Sequence, residues 1–259
     1  MNLRILSYNM HRAIGLDRRF RLERIIRILD HYDADIVLLQ EVDVGVPRSQ
    51  RLNLGDEIAK QLKYPYHAIG LNVKLRNGMY GNATLSRFPI VDERNIDLTI
   101  GFRKSRGCLF TRLELPEAKS GWGALGLAVF NLHLGLVARE RLQQLELLFS
   151  STEFLKTTSS APCLVAGDFN DWRTVLTPIF IDRHSFKCAT DHGSHSRKPM
   201  LTFPSFAPAV GLDKIFCRGE IESLHSWRCR LMVSKVASDH LPVIADLQLL
   251  INGEHPSAK

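Results

Sequence analysis

The feature that most constrains this chain is a short apolar run, Ile36-Val37-Leu38-Leu39, followed at once by the polar pair Gln40-Glu41. A strand with one face in water alternates apolar and polar side chains, so an unbroken run favours a strand that is covered on both faces. It therefore predicts a central strand of a layered α/β fold. Polar residues directly after such a strand are expected at the rim of the sheet, where ligands commonly bind.

The rest of the chain alternates short β-rich segments with fewer helical ones. Helical apolar spacing predicts helices over 20–32, 54–62 and 138–155, the last with Leu142, Leu145, Leu148 and Phe149 toward the core. Besides the segments that begin at Leu3 and at Ile36, strands are expected near 66–71, 82–86, 108–115, 125–133, 163–167, 214–217 and 243–249. This pattern favours one α/β unit in which two sheets pack between helices.

Composition fits an ordinary globular protein. The 259 residues are 45% hydrophobic and 24% charged, which excludes a disordered chain, collagen and a coiled coil. We predict a single domain over 1–250 and a short tail over 251–259. No apolar stretch approaches the roughly 18 residues of a membrane span, and the first residues lack the layout of a signal peptide. Five cysteines without C-x-x-C spacing suggest neither a disulfide framework nor a zinc ribbon, so a cytoplasmic location is expected.

The charge balance points to partners that carry phosphate. Thirty-four basic against 27 acidic residues give a net charge of +7, and arginine grips phosphate oxygens in pairs. One basic cluster comprises Arg12, Arg18, Arg19, Arg21 and Arg24. It is suited either to tracking a nucleic-acid backbone or to forming the solvated face of a helix.

Two other motifs are interpreted as structural. A G-x-G-x-x-G pattern over 121–126 precedes a predicted strand rather than a helix, so it predicts a hairpin turn and not a dinucleotide site. Asp191, His192 and His195 have ligand chemistry but lie in a polar segment, 182–199, which predicts a solvated surface loop or else a mobile rim beside a site.

Five polar signatures lie where predicted strands end. They are Asn9, Gln40-Glu41, Asn131-Leu132-His133, Gly167-Asp168-Phe169-Asn170 and Ser238-Asp239-His240. In layered α/β folds the side chains at strand ends converge on one rim, so these residues are expected to build a single pocket.

The order of these motifs resembles a known family. Q-E, Y-G-N-A-T-L-S-R-F-P-I, N-L-H-L, G-D-F-N, L-D-K-I-F and S-D-H-L-P-V follow one another as in the endonuclease/exonuclease/phosphatase superfamily, whose members are DNase I-like. The resemblance covers about 5–247. It implies a four-layer α/β/β/α sandwich, with two mixed β-sheets face to face and helices outside. It also implies a divalent-metal phosphoesterase site at one end.

The resemblance assigns roles that suit the chemistry of phosphodiester hydrolysis, which needs a cation, an activated water and help for the leaving oxygen. Oxygen ligands suit Mg²⁺ or Mn²⁺, so Glu41, Asn9 and Asp239 are expected to hold the ion. Asp168 would activate the water, with Asn170 holding both that carboxylate and a phosphate oxygen. His240, oriented by Asp213, would donate to the phosphoryl oxygens, and His133 would assist.

Two departures from the family pattern bear on substrate. DNase I-like members support the equivalent of His133 with a Glu, where this chain has Tyr80. Abasic-site endonucleases of the superfamily have an Asp at the position of His11, and this difference weakens the hypothesis that the protein acts in DNA repair. The Y-N-x-H-[RK] opening is more similar to a bacterial branch that also resembles the catalytic domain of a eukaryotic lipid-remodelling protein linked to GPI anchors.

The predicted function is therefore phosphodiester hydrolysis with Mg²⁺ or Mn²⁺, first as a nuclease. Arg106, His11, Arg12, Asn170 and Trp172 are the expected substrate contacts; Trp172 either stacks a base or lies buried in the sandwich. The first alternative is a phosphodiesterase or phosphatase acting on a lipid or an inositol phosphate. The second is an inactive phosphate-binding module. The oligomeric state is left open.

Overall fold

The structure is a computed structural model that describes residues 1–116, 126–192 and 198–250, without the side chains of 192 and 198. Two sheets of six strands dominate it. The first runs, in spatial order, β13 (Ile221–Arg228), β14 (Val243–Leu249), β1 (Asn2–Asn9), β2 (Ile36–Val44), β4 (Met79–Ser86) and β3 (Tyr66–Lys74). The second runs β5 (Ile90–Asp97), β6 (Gly107–Leu113), β7 (Leu127–His133), β8 (Cys163–Asp168), β12 (Asp213–Arg218) and β9 (Lys187–Cys188).

Each sheet is mixed and contains one parallel pair, β1 with β2 and β7 with β8, among antiparallel neighbours. The described helices are α1 (Leu22–Tyr32), α2 (Leu54–Gln61), α3 (Ala138–Ser150), α4 (Thr152–Leu155) and α5 (Ser234–Ala237). No helix in the described ranges is long and apolar enough to cross a membrane. The five cysteines, all in described segments, are free.

Side-chain alternation along β2 explains the layers. Ile36 and Leu38 point into a core between the two sheets, together with Val129 and Ile215 of the second sheet. On the other face of β2, Val37 and Leu39 pack in a second core with α1 and α2. A third core places α3 against the outer face of the second sheet. The predicted four-layer sandwich is confirmed, and the unbroken apolar run reflects a strand covered on both faces.

The helix predictions need two corrections. The helix expected over 138–155 is broken at Ser151, whose extended backbone ends α3 and whose Oγ accepts a hydrogen bond from the backbone N of Phe154 at 3.3 Å. Leu142 faces solvent rather than the core, whereas Leu145 and Leu148 are buried. The first helix begins at Leu22 rather than at Phe20, because Phe20 forms a β-bridge with Ile14.

Two long strands, β5 and β13, were not predicted from the sequence. Both lie at sheet edges and are largely exposed, so their polar sequences lack an apolar pattern. The segment 182–199 is more structured than a loop, since it contains β9 and a short ladder of β10 (Asp191–His192) with β11 (Lys198–Pro199). The Asp191 side chain is nearly buried and lies 3.7 Å from Lys214 Nζ, which corrects its surface assignment. Residue His195 and all but Gly126 of the predicted 121–126 hairpin turn lie outside the described residues.

Candidate active site

The site lies at the rim where the parallel pairs of both sheets end. Strand pairing alone sets its layout: His133, Asp168 and Asp213 are direct neighbours across β7, β8 and β12. In the first sheet, Asn9 at the end of β1 is paired with Gln40 of β2. The strand-end signatures of the sequence are therefore brought to one place.

A buried amide network joins the two sheets at this rim. Gln40 Nε2 donates to Asn131 Oδ1 at 2.8 Å, and Asn131 Nδ2 donates to the carbonyls of Leu39 and Ala83 at 3.2 and 2.9 Å. Asn82 Nδ2 donates back to the Asn131 carbonyl at 3.0 Å. Because buried amides need partners, this network fixes the spacing of the sheets beneath the site.

Asp213 and His240 form a buried, hydrogen-bonded pair. His240 Nδ1 lies 2.9 Å from Asp213 Oδ2, which also accepts a hydrogen bond from Thr202 Oγ1 at 2.5 Å. Burial lowers the pKa of His240, but the carboxylates of Asp213 and Asp168 outweigh it and raise that pKa to about 10. The ring is therefore a charged donor at neutral pH, with Nε2 directed toward Asp168 Oδ2 at 3.8 Å.

Asp168, at the end of β8, is the centre of the cluster. Its Oδ2 accepts a hydrogen bond from Asn9 Nδ2 at 3.0 Å, and its Oδ1 accepts one from the backbone N of Asn170 at 2.9 Å. Burial raises the pKa of the Asp168 carboxyl to about 6, and the positive charge on His240 offsets this only in part. The carboxylate is thus ionised at neutral pH yet more basic than an ordinary aspartate, which suits a proton acceptor.

The turn after Asp168 depends on the G-D-F-N sequence. Gly167 has a φ of 139°, and a Cβ there would overlap the Leu132 carbonyl of β7, so glycine permits the close approach of the two strands. Asn170 adopts a left-handed φ of 49°. Its side-chain Nδ2 donates to the Leu134 carbonyl at 3.0 Å, so the contact of Asn170 with Asp168 is made by the backbone rather than by the predicted side-chain amide.

His133 reaches the same carboxylate from the other side. Its Nε2 lies 3.4 Å from Asp168 Oδ2. Burial, helped by the charges of Arg106 and His240, holds the pKa of His133 well below its usual value, so this ring is neutral at pH 7. Arg106 is buried and lines a small pocket with His133 and Tyr80. Tyr80, at the position where the family resemblance implied a Glu, has Arg48 and Lys104 over its ring at 5.5 and 5.3 Å.

Glu41 is displayed by a bulge in β2. The pairing of β2 with β4 shifts register between Leu39 and Val42, and Glu41 takes a left-handed φ of 57°. Such a bulge re-aims a side chain out of the regular alternation. Glu41 Oε2 lies 3.0 Å from Arg12 Nε. Asp239, the third predicted ion ligand, has its Oδ1 4.0 Å from His11 Nδ1, and the backbone N of His11 donates to Asn9 Oδ1 at 3.1 Å.

Two further predictions concern Trp172 and the arginine cluster. Trp172 is 46% exposed, which corrects the buried alternative, and its ring lies 5.4 Å from that of Phe203, which in turn lies 5.1 Å from the His240 ring. Within the arginine cluster, Arg24 is paired with Asp17 at 2.7 Å and Arg21 with Glu23 at 3.4 Å.

Sequence reasoning assigned no role to three supporting residues. Thr202 binds Asp213, and Ser238 Oγ donates to the Asn9 carbonyl at 2.7 Å and accepts from the backbone N of His240 at 3.2 Å. Lys104 contributes to the positive potential at His133. Ser238 lies inside the S-D-H-L-P-V motif, so its place in that motif was the available signal.

Two facing mixed sheets, with carboxylate, amide and imidazole groups at their shared rim, define an α/β-sandwich class of phosphoester hydrolases. The chain belongs to the Endonuclease/Exonuclease/phosphatase family, whose sequence pattern matches residues 6–240. Members of this family are hydrolases that act on phosphoester bonds and generally use a divalent metal. The chain is accordingly a phosphoesterase of this superfamily.

The chain is 30% identical to the uncharacterized protein YbhP of Escherichia coli K12, over 96% of this chain and 97% of that protein. Among solved structures, it is similar to an endonuclease/exonuclease/phosphatase from Beutenbergia cavernae, with a TM-score of 0.74 and 21% identity over 96% of this chain and 72% of that one. It is also similar to a mannosyl-6-phosphatase of Bacteroides thetaiotaomicron, with a TM-score of 0.68 and 18% identity over 95% and 99% of the two chains. These two likenesses concern the fold.

Proposed function

We propose that this protein hydrolyses phosphodiester bonds with Mg²⁺ or Mn²⁺ and that nucleic acid is its substrate. The observation that carries the proposal is the arrangement around Asp168. A buried carboxylate with a raised pKa lies within 4 Å of two imidazoles, one charged and one neutral. A proton acceptor beside a charged donor is what attack of water on a phosphodiester requires.

The donors near Glu41 fit a hard divalent ion. Glu41 Oε2 is buried and has no hydrogen-bond partner in the described part of the chain. Asn9 Oδ1 and the carboxylate of Asp239 are the other proposed ligands, and oxygen ligands are those that Mg²⁺ and Mn²⁺ prefer. Asp168, Asp213 and His240, whose ligand atoms lie within 4.8 Å of one another, form an acidic cluster in the other half of the site. When bound near Glu41, the ion would neutralise the negative charge that develops on the phosphoryl oxygens.

The chain's own groups then divide the remaining work. Asp168 orients the attacking water and takes its proton, held in place by Asn9 and the Asn170 backbone. His240 donates from Nε2 to a phosphoryl oxygen, since Asp213 fixes Nδ1 as the other donor. His133, neutral at pH 7, supplies a second hydrogen bond next to Arg106.

Two features favour a nucleic-acid substrate. The exposed Trp172 is joined through Phe203 to His240, so a base can stack on the indole while its phosphate reaches the catalytic imidazole. Arg18 and Arg19 stay exposed, and neither forms an ion pair in the described ranges, so they are available to backbone phosphates.

The test is a substrate panel with the purified full chain in Mg²⁺, Mn²⁺ or EDTA. We expect metal-dependent cleavage of single- or double-stranded DNA or of RNA, with a KM that rises steeply with salt through counterion release. Trp172→Ala should raise KM about tenfold and leave kcat nearly unchanged, because stacking is typically worth about 1–3 kcal/mol. The matched control is Tyr66→Ala, an exposed aromatic at the opposite end of the first sheet. Cleavage of none of the nucleic acids would overturn the nuclease assignment.

A lipid phosphodiester is the second candidate, and one surface favours it. Leu16, Phe206, Met232 and Val236 are exposed apolar residues beside the site, joined where the Leu16 amide donates to the Val236 carbonyl at 2.9 Å. Arg230 and Lys235, which line a pocket with Phe206, add positive charge. Apolar residues edged by basic ones suit an anionic lipid surface. Turnover of lysophospholipid but not of nucleic acid in the same panel would select this candidate.

A further inference from the structure

Arg12 and Glu41 form an ion pair without a hydrogen bond. Its Nε lies 3.0 Å from Glu41 Oε2, and both atoms are buried. Neither atom makes a hydrogen bond of acceptable geometry with any described residue. The contact is therefore a charge pairing without directional bonding. Another cation can replace this contact without leaving a hydrogen bond broken, whereas a bidentate arginine–carboxylate pair would have to give up two.

The backbone around Arg12 adopts an unfavourable conformation. His11, Arg12 and Ala13 have φ values of 44°, 61° and 56°, three successive left-handed residues without a glycine. Such conformations are disfavoured and persist only where the surroundings enforce them. Here the Met10 amide binds the Gln40 carbonyl at 3.2 Å, and the His11 ring Nδ1 lies 3.0 Å from the Ile14 carbonyl. The turn is thus tied to β2 beside Glu41.

The position of Arg12 also faces the rest of the site. Its charge helps to hold the pKa of His133 below its usual value, so the guanidinium that contacts Glu41 is also close enough to act on a proton-transfer group. Arginine binds phosphate oxygens well because its planar fork offers paired donors.

We propose that Arg12 is an exchangeable counter-cation of Glu41: it neutralises this carboxylate until the divalent ion enters, and it then turns to the substrate phosphate. The inference rests on the proposed function, since it assumes that Glu41 is an ion ligand. It adds a role for Arg12 in setting the affinity for metal. With an ion held by Glu41, Arg12 would no longer pair with this carboxylate, and its guanidinium would be free to contact a phosphate.

The first experiment measures Mn²⁺ affinity directly, by the free-ion electron paramagnetic resonance signal, without substrate. Arg12→Gln is expected to bind Mn²⁺ about tenfold more tightly than the wild type, an effect larger than the loss of an exposed ion pair and smaller than the loss of a fully buried one. In turnover assays the same variant should show a higher KM. Lys104→Gln is the matched control, because it removes a positive charge from the same rim without touching Glu41, and its Mn²⁺ affinity should change less than twofold.

The second experiment needs no folded Arg12→Gln protein. In ¹⁵N-labelled wild-type protein, the Arg12 Nε–H resonance, assigned by its absence from Arg12→Lys, should shift on addition of Mg²⁺ and shift again when inorganic phosphate is added. An Arg12 resonance that does not respond to Mg²⁺ overturns the proposal, as does an unchanged or weaker Mn²⁺ affinity of Arg12→Gln. If Mn²⁺ binding is nevertheless lost in Glu41→Gln, the proposed function survives and only the role of Arg12 falls. If the wild type and Glu41→Gln bind Mn²⁺ equally, or if neither binds it, then both the proposed function and the proposed role of Arg12 are wrong.

Discussion

The two halves of the site are built on different principles. The Asp213–His240–Asp168 chain is almost wholly buried, and direct hydrogen bonds from Thr202, Asn9 and the Asn170 backbone hold its carboxylates. The Glu41–Arg12 pair is more open, rests on left-handed backbone and lacks hydrogen-bond geometry. Groups that transfer protons gain from rigid placement, whereas a group that must admit an ion and release it gains from a contact that exchanges easily.

The largest test of this contrast is Asp168→Asn. The change removes the proposed proton acceptor while keeping the size of the side chain, so we expect kcat to fall by about 10³-fold or more. Mn²⁺ affinity should change less, because Asp168 contacts the proposed ion ligands only through its hydrogen bond with Asn9. Steady-state kinetics and the Mn²⁺ titration give the two numbers, and circular dichroism checks the fold. Unchanged turnover would revive the inactive binding module.

For Glu41→Gln we expect the opposite result, a large change in Mn²⁺ affinity and a smaller change in kcat. Loss of a carboxylate ligand should weaken Mn²⁺ binding by about 10–100-fold, while kcat recovers in large part at saturating metal. A titration of activity against Mn²⁺ concentration separates the two effects. Glu93→Gln, at an exposed site on edge strand β5, controls for the loss of one negative charge. A drop in kcat that excess metal does not relieve would contradict the division into halves.

The strand-end reasoning predicted the position of the site better than its internal contacts. Ile36–Leu39 and the polar residues after each strand sufficed because parallel strands end at a common rim, and pairing then makes His133, Asp168 and Asp213 neighbours. The apolar run also predicted correctly that β2 is covered on both faces, whereas the four-layer sandwich itself was implied by the family resemblance. These features depend on periodicity and topology, which a sequence carries directly.

Contacts that depend on the local conformation of the backbone could not be predicted from the sequence. Nothing in Q-E-V reveals that Glu41 sits in a bulge, and nothing in H-R-A predicts three left-handed residues. The sequence placed Arg12 among substrate contacts, but only the coordinates bring it against Glu41. The edge strands β5 and β13 were missed for a related reason: their exposed positions impose no apolar alternation.

The last prediction concerns the dependence of stability on pH, and it separates the rigid half from the rest of the surface. The folded-state pKa of His240, raised to about 10 from its ordinary value of 6.5, means that the folded protein binds one more proton than the unfolded chain between these values. This stabilisation is complete below pH 6.5 and is lost as pH rises through about 10. The free energy of unfolding should therefore decline by up to about 1.4 kcal/mol per pH unit in that window from this group alone.

Asp213→Asn should flatten that decline, because it removes the charge that most strongly raises the pKa of His240 against the effect of burial. Urea unfolding from pH 7 to pH 9.5 in EDTA measures the difference, and titrations common to both proteins cancel. Asp56→Asn is the matched control, since Asp56 pairs with His67 at 2.8 Å on the exposed surface, where solvent screens the charge. Parallel slopes for the wild type and Asp213→Asn would mean that the His240 proton is not held by Asp213, and the rigid half of the comparison would then lose its electrostatic basis.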